Sequence, residues 1–288
     1  MRPRFGCVIL TRGDRPAELR LGLESLRRQR DVDVEVVVVV NGCAPTELPE
    51  GVLSVTFAEN VGATAGRNAG VGRVGGELLL FLDDDARLAE DDALARIARR
   101  FEGDPGLALV QPRVADPAGA RPPRHWVPRL RVGDPGRSGE ATSVWEGAVA
   151  VRREAFTGVG GWPEDFFYLH EGIDLTWRLL DAGWRAWYAG DVLALHPALA
   201  AARHGPVSRY LSGRNRAWLA RRHLPWSLGA IYVAGWLLRS IARARSRREA
   251  RTLLRGFADG LRCPASARRP LRARTLWKMT RAGRPPVV

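Results

Sequence analysis

The amino-acid sequence predicts an α/β fold, with a doubly wound, mostly parallel sheet flanked by helices. Two short apolar runs rich in β-branched residues, 7–10 and 34–40, are typical of central strands that are buried on both faces. Residues 16–30 lie between them and carry leucines at 19, 21, 23 and 26 among charged side chains, which indicates a helix. A strand, a helix and a strand in this order form a right-handed βαβ unit.

The rest of the chain continues this alternation of strands and helices. Further strands are predicted at residues 53–57, 77–82, 107–114, 144–151 and 185–188, and helices at 91–101 and 172–182. Residues 60–70 contain three glycines and predict a turn followed by a helix. Residues 115–140 are rich in Pro, Arg and Gly, so we expect a long loop that could cover a substrate.

The charge of the chain is unevenly distributed. The net charge is +14, yet residues 201–288 hold 21 Arg and Lys against two acids, which leaves residues 1–200 with a net charge of −5. We therefore divide the chain into a domain at 1–200 and a basic helical C-terminal extension at 201–288. Nucleic-acid binding as the main activity is disfavoured, because the acidic first domain would repel a phosphate backbone.

Cysteine usage and the apolar segments bear on the cellular location. The three cysteines are too few and too scattered for a disulfide framework, which suits a reducing compartment, and we expect all three to be buried thiols: Cys7, Cys43 and Cys263. The apolar run at the N-terminus is too short for a secretion signal, so a cytoplasmic protein is predicted.

One segment of the extension suggests contact with a membrane. Residues 224–238 are apolar but contain Pro225 and fall short of the roughly 20 residues that a spanning helix needs. We expect this segment to pack on the core or to lie in a membrane interface, with Arg239 and Arg243 beside it. An anionic membrane surface, at the inner face of the membrane, is thus a candidate partner.

Three consecutive aspartates follow a predicted buried strand. Asp83, Asp84 and Asp85 would repel one another at the carboxyl end of a sheet strand, where ligands of doubly wound folds bind. A divalent cation such as Mg²⁺ or Mn²⁺ would neutralise them, since hard cations prefer carboxylate oxygens. An acidic turn in solvent is the alternative. His196 follows a strand-like stretch, and a single histidine of this kind is more often structural than a ligand.

A set of short motifs occurs in a fixed order along the chain. They are Thr11-Arg12-Gly13-Asp14-Arg15-Pro16, Leu23-Glu24-Ser25-Leu26, Val39-Val40-Asn41-Gly42, Asn60-Val61-Gly62, Gly66-Arg67-Asn68-Ala69-Gly70, Phe81-Leu82-Asp83-Asp84-Asp85, Gly160-Gly161-Trp162, Glu171 through Asp174 to Trp177-Arg178, His196, and Arg214-Asn215-Arg216. Taken together they resemble family 2 glycosyltransferases over about residues 5–225. The ordered set is more specific than any single motif.

This resemblance implies a GT-A fold, a nucleotide-diphosphate sugar donor, a divalent cation (Mn²⁺ or Mg²⁺) and inverting transfer to an acceptor that is a glycan, a lipid or a natural product. The implied metal ligands are Asp83, Asp85 and His196. The implied donor-binding residues are Thr11, Arg12, Asn41, Asn60, Gly62, Arg67, Asn68, Asp83 and Asp84. The implied acceptor-binding residues are Trp145, Glu146, Gly161 and Trp162, with Trp162 the candidate to stack on a sugar.

Two positions depart from the family pattern. Val40 stands where many members have an Asp that contacts the base, and Gly172 stands where they have the catalytic Asp. We expect catalytic carboxylates at Glu171 and Asp174, and we favour Glu171 as the base, with Asp174 paired to Arg178 on the helix. Alternatively the acceptor is already ionised, as a lipid phosphate or a thiolate is, or the protein binds a sugar nucleotide without transferring it.

Overall fold

The computed structural model describes residues 2–43, 48–198, 205–263 and 267–287. The strands are β1 Arg4–Thr11, β2 Asp33–Asn41, β3 Leu53–Phe57, β4 Leu78–Asp83, β5 Arg87–Leu88, β6 Leu107–Ala115, β7 Gly139–Glu140, β8 Ala148–Arg152 and β9 Arg185–Leu195. The helices are α1 Pro16–Arg27, α2 Gly62–Val71, α3 Ala93–Gly103, α4 Arg153–Gly158, α5 Glu171–Asp181, α6 Pro206–His223, α7 Trp226–Ala242, α8 Arg247–Arg262 and α9 Ala273–Arg281, with 3₁₀ turns at Arg124–Trp126 and Glu164–Phe166.

The strands form one sheet in the order β3-β2-β1-β4-β8-β6-β9-β5, with β7 also paired to β9. Strands β1, β2, β3, β4, β6 and β9 run in one direction, whereas β5, β7 and β8 run against their neighbours. The predicted α/β fold with a mostly parallel sheet is therefore confirmed. Because β1, β2 and β4 are parallel, their carboxyl ends meet at one edge, where Leu10 pairs with Asp83 and Thr11 with Val40.

Each face of the sheet is covered by helices, as side-chain alternation along the strands requires. In β1, Ile9 belongs to the core cluster on the face covered by α1 and α3, and Val8 belongs to the cluster on the opposite face, with α2, α4 and α5. Helix α2 comes so close to the sheet that a Cβ at Gly70 would lie 2.5 Å from Val8 Cγ1. These contacts explain why both strand runs are continuously apolar.

The basic extension packs against the first domain through a core of its own. Its buried members come from the 3₁₀ turn Glu164–Phe166, from α5 and from the extension: Phe166, Trp177, Leu219, Ala220, Leu224, Tyr232, Leu271 and Met279. The predicted division near residue 200 falls in residues 199–204, outside the described residues. It stays a prediction, but the contacts show that the described part of the extension packs against α5.

Several predicted elements differ from the structure. The strand predicted at 144–151 starts only at Ala148, and residues 144–147 form a loop. Strand β9 joins the stretches predicted at 185–188 and 192–195. The expectation of three buried thiols is wrong for Cys263, which is exposed, and for Cys43, which is only partly buried. Within the described ranges, each helix is either too short or too polar to cross a bilayer.

Candidate functional site

The carboxyl ends of β1 and β2 carry side chains that hold the neighbouring turns. Thr11 Oγ1 donates to Asp84 Oδ2 at 2.7 Å. Asn41 Nδ2 donates to Asn60 Oδ1 at 2.9 Å, and the Val61 N–H donates to Asn41 Oδ1 at 2.9 Å. These bonds shape the turn that leads into α2, which Gly62 enters at a φ of 88°.

Asp83, Asp85 and His196 converge at the same edge of the sheet. One ligand atom from each lies within 4.8 Å of the others. His196 Nε2 is 2.9 Å from Asp85 Oδ1 and 4.0 Å from Asp83 Oδ2. The His196 ring is fixed between Trp126 and Trp145, with ring centroids 5.3 and 4.9 Å away. The predicted metal ligands are thus brought together from β4, the turn after it and the end of β9.

The electrostatics of this cluster reflect burial opposed by charge. Burial alone lowers the pKa of His196, but Asp85 and Asp83 outweigh that effect, so its pKa lies above the usual value. Burial alone raises the pKa of Asp85, yet His196 and Arg15 bring it below the usual value. The pKa of Asp84 is raised to about 6, mainly by burial, although Thr11 and Arg15 oppose the shift.

These side chains fit a divalent cation. Two carboxylates and an imidazole are a common ligand set for first-row divalent ions, and carboxylates suit Mg²⁺ and Mn²⁺. His196 Nδ1 is buried without a hydrogen-bond partner among the described residues, and Asp85 Oδ1 has only His196 Nε2 beside it, at 2.9 Å. One ligand atom each from Asp83, Asp85 and His196 lies close enough to the others to share a single ion.

Two arginines flank the acids. Arg15 Nη1 lies 2.8 Å from Asp85 Oδ2 and 3.1 Å from Asp84 Oδ1. Arg67 Nη2 lies 2.7 Å from Asp83 Oδ1, and Arg67 Nη1 lies 3.1 Å from Glu171 Oε1. Arg67 is one of the predicted donor-binding residues, whereas Arg15 is not among the predicted site residues. Its position just after β1 and before the helix-starting Pro16 was the available signal.

Glu171 begins α5 after a strained turn that the basic extension holds in place. Phe167, Leu169 and His170 all have positive φ, at 64°, 74° and 69°. Asn215 Nδ2 on α6 lies within hydrogen-bonding distance of the carbonyls of residues 166, 168 and 169, at 3.0, 2.8 and 2.8 Å. Backbone strain of this kind persists only when surrounding contacts over-determine it. Asn215 therefore positions Glu171, a role that the motif containing it did not reveal.

Two glutamates meet beside Arg67. Burial raises the pKa of Glu171, although Arg67 opposes this shift. Glu146, from the loop before β8, is partly exposed, and burial followed by the charge of Glu171 raises its pKa well above the usual value. Adjacent carboxylates of this kind resist ionising together. Glu146 and Trp145, predicted to contact the acceptor, both border the site.

The contacts of Asp174 are those of a buried structural acid, which disfavours the catalytic role predicted for it. Its carboxylate is fully buried and faces the extension, where it accepts from Arg178 Nε at 2.7 Å and Arg222 Nη1 at 2.9 Å and lies 2.7 Å from His223 Nε2. Burial opposes ionisation, but Arg178, His223 and Arg222 outweigh it and hold the pKa of Asp174 well below its usual range. The expected pairing with Arg178 is confirmed, and the acid joins α5 to α6.

The structure also shows the surroundings of four further predicted site residues. Trp162 is only 1% exposed and its ring packs 5.0 Å from that of Phe81, so the structure does not support the predicted stacking on a sugar. Asn68 Oδ1 accepts from the Trp162 N–H at 3.0 Å, and Asn68 Nδ2 donates to the Trp162 carbonyl at 3.0 Å. Asn68 and the buried Gly161 therefore shape this turn, and their contacts with substrate stay predictions. Arg12 is exposed next to Thr11.

The protein defined by this fold and site is a GT-A type α/β protein with acids and a histidine at the carboxyl edge of its sheet. The model of glycosyl transferase family 2 matches residues 7–160, more than half of the chain. The chain belongs to that family.

Two curated relatives from Mycobacterium tuberculosis match part of the chain. An N-acetylglucosaminyl-diphospho-decaprenol L-rhamnosyltransferase is 35% identical over 117 residues, 37% of this chain and 38% of the relative. A pre-mycofactocin glycosyltransferase is 28% identical over 199 residues, 65% of this chain and 42% of the relative. The matches thus span about two fifths of each relative's length.

Solved structures share the fold at low sequence identity. S. aureus TarS 1-349 superposes with a TM-score of 0.61 at 16% identity, covering 90% of this chain and 81% of that one. GalNAc-T7 with UDP, GalNAc and Mn²⁺ gives 0.63 at 15% identity, covering 91% and 55%. The mannosyltransferase PcManGT from Pyrobaculum calidifontis, with GDP-Man and Mn²⁺, gives 0.57 at 18% identity, covering 100% and 78%. These likenesses establish the GT-A fold.

Proposed function

We propose that the protein transfers a sugar from a nucleotide-diphosphate donor to an acceptor hydroxyl, with a divalent cation, Mn²⁺ or Mg²⁺, held by Asp83, Asp85 and His196. The observation that carries this proposal is the convergence of those three side chains within 4.8 Å at the carboxyl edge of the sheet. Ligands of open α/β sheets bind at that edge. The solved neighbours that contain UDP or GDP-Man together with Mn²⁺ support the same chemistry.

When bound, the cation would act as a Lewis acid that neutralises the departing diphosphate. Arg67 and Arg15 add positive charge on either side of the acids, at 2.7 Å from Asp83 and 2.8 Å from Asp85. Fixed cations of this kind stabilise charge that develops on a leaving group without reorganising. In an inverting displacement the acceptor oxygen attacks from the face opposite the nucleotide, and a carboxylate takes its proton.

The donor can be identified by thermal-shift screening of UDP-, GDP- and dTDP-sugars with and without Mn²⁺ or Mg²⁺. Binding to the folded state raises the melting temperature by mass action, about 2.7 kcal/mol of stabilisation at a hundredfold excess over Kd. We expect one nucleotide class to shift the wild type only when the cation is present. The variant Asp85→Asn should lose that shift. Equal shifts in the two proteins would contradict the cation site.

Two kinds of acceptor are possible, a hydroxyl that needs a base and an acceptor that is already ionised. Glu171 is the base expected from the sequence, and Glu171→Gln should then abolish transfer to a hydroxyl. Activity on a phosphorylated lipid but on no hydroxyl would favour an acceptor that arrives already ionised. The name of one relative, which refers to a diphospho-decaprenol acceptor, supports lipid-linked substrates as the first acceptors to try.

The exposed side of α7 supports our proposal of contact with an anionic membrane surface. Ile231 and Leu238 lie seven residues apart on one exposed face of α7, at 57% and 69% exposure, and Trp226 at the start of the helix is 68% exposed. Arg239 and Arg243 are exposed at its C-terminal end. An apolar face beside cations suits the interface of an anionic bilayer, where each basic residue contributes on the order of 1 kcal/mol. We place this contact at the inner face of the membrane of the cell.

Co-sedimentation with vesicles tests this surface. The wild type should co-sediment at low salt with vesicles of phosphatidylcholine that contain about a third phosphatidylserine. Leu238→Glu should reduce binding, because it places a charge on the apolar face. Leu261→Glu is the matched control, since Leu261 is also exposed, at 45%, but lies on α8. Equal binding by both variants would contradict the assignment to α7.

A further inference from the structure

A second carboxylate occupies the space that Gly172 leaves open. Glu146 lies in the loop of residues 144–147 that precedes β8. A Cβ at position 172 would lie 2.7 Å from Glu146 Oε2 and 2.5 Å from the carbonyl oxygen of Val144. Any side chain at this position would therefore displace both the loop and its carboxylate. The missing acid at 172, noted from the family resemblance, coincides with a carboxylate that arrives from another element.

The same loop also borders the candidate metal ligands. The Trp145 ring lies 4.9 Å from the His196 ring. The Asp83 N–H donates to the Gly147 carbonyl at 2.9 Å. A Cβ at Gly147 would lie 2.5 Å from Asp83 Oδ2, so the backbone is pressed against that acid. Glu146 is thus fixed between the cation site on one side and the start of α5 on the other.

Exposure separates the two glutamates. The Glu171 side chain is 1% exposed, and its Oε1 is held by Arg67 at 3.1 Å. Glu146 is partly exposed. A base must come within hydrogen-bonding reach of the proton that it removes, which requires access to the substrate. Glu146 is the better placed of the two, because it is partly exposed whereas Glu171 is enclosed.

We propose that Glu146 is the catalytic carboxylate that accepts the acceptor's proton, and that Glu171 and Arg67 are positioning residues that hold it. This inference rests on the proposed transfer. In the step, the acceptor oxygen forms a bond to the anomeric carbon while the bond from that carbon to the diphosphate oxygen breaks. The nucleoside diphosphate leaves with the bonding electrons, and the hydroxyl proton passes to Glu146.

The electrostatic setting agrees with this role. Burial and the neighbouring Glu171 raise the pKa of Glu146, and Arg67 opposes that shift. A carboxylate with a raised pKa is a stronger proton acceptor once ionised. Arg67, which pairs with Glu171 directly, helps the two acids to carry negative charge in one place.

The test compares Glu146→Gln with Glu171→Gln in the full chain, using UDP-GlcNAc and GDP-mannose with Mn²⁺ and measuring release of UDP or GDP to water. We expect Glu146→Gln to lower kcat by at least about 100-fold, the size of a general-base contribution, with donor KM within about threefold of wild type. Glu146→Asp should lose less. Glu154→Gln, an exposed glutamate on α4, is the matched control and should match the wild type.

Chemical rescue separates a proton acceptor from a structural residue. Sodium formate should restore part of the turnover of Glu146→Ala and none of that of Glu171→Ala. Turnover by Glu146→Gln above about a third of wild type, or loss of turnover in Glu146→Ala that formate does not relieve, would overturn the assignment. Failure of the proposed transfer looks different: the wild type would show neither a donor-dependent melting shift nor release of nucleotide, and both proposals would then fall.

Discussion

The buried charge cluster around Asp174 allows a quantitative prediction about stability. The variant Asp174→Asn keeps the shape of the side chain but removes the anion that Arg178, Arg222 and His223 share. The Arg222 and His223 side chains are only 9% and 2% exposed, so they would be left with little water to replace the lost partner. Removing one partner of a buried pair costs about 3–5 kcal/mol.

This loss of unfolding free energy corresponds to a decrease in the melting temperature, Tm. An unfolding entropy of about 2.1 cal/mol/K per residue, over the 288 residues, is roughly 0.6 kcal/mol/K. A loss of 3–5 kcal/mol therefore lowers Tm by about 5–8 °C. Asp165→Asn is the control, because Asp165 contacts Arg222 at 2.6 Å but its side chain is 33% exposed, and exposed pairs contribute about 0–1 kcal/mol.

The assay is thermal and urea unfolding followed by circular dichroism at several pH values. The folded-state pKa of Asp174 lies below its unfolded value near 3.8. Between these two pKa values the folded protein binds fewer protons than the unfolded chain. The stabilisation by Asp174 is complete above the unfolded value and is lost as the pH falls below it. The difference between wild type and Asp174→Asn should therefore shrink below pH 3.8. A difference under about 1 kcal/mol at pH 7 would refute the reasoning.

Two further variants test the segments that shape the site. Gly62→Ala should destabilise the fold by about 1–3 kcal/mol in urea unfolding, because Gly62 has a φ of 88° and its Cβ would lie 2.6 Å from Phe167 Cδ2. Asn215→Ala should lower kcat at least about tenfold, because the strained turn before Glu171 loses the side-chain amide that bonds to its carbonyls. The melting shift induced by the sugar nucleotide should change little. Wild-type turnover in Asn215→Ala would show that the turn holds itself.

The strand pattern predicted the location of the site well. Parallel strands end at one edge of a sheet, so Thr11, Asn41 and Asp83 could be placed together from their positions after apolar runs. The presence of His196 at the site could be predicted only from the family resemblance, because β9 lies far from β4 along the chain. The clustering of His196 with Asp83 and Asp85 agrees with that expectation.

The side-chain partners could not be predicted in the same way. Asp174 pairs with Arg222 and His223, which lie 48 and 49 residues later in an extension whose packing the pattern does not specify. A helix acid has the same local signature whether it faces a substrate or a buried arginine. The 1% exposure of Trp162 likewise depends on tertiary packing, since aromatic residues occur both in cores and at binding surfaces.

Glu146 shows the same limit. Its approach to Gly172 depends on the path of a loop that the apolar pattern assigned to a strand. A glycine in place of an acid does not by itself indicate which residue takes over the role of the base. The structure shows that the glycine and the glutamate belong to one arrangement.

The most direct test of the central claim is isothermal titration of Mn²⁺ into the protein with UDP or GDP present. We expect one ion per chain for the wild type, and at least about tenfold weaker binding for Asp85→Asn, since loss of even an outer partner of a metal site costs 10-fold to 100-fold. Asp91→Asn, at an exposed ion pair with Arg28, should bind as the wild type does. Equal Mn²⁺ affinity in all three proteins would contradict a cation held by Asp83, Asp85 and His196.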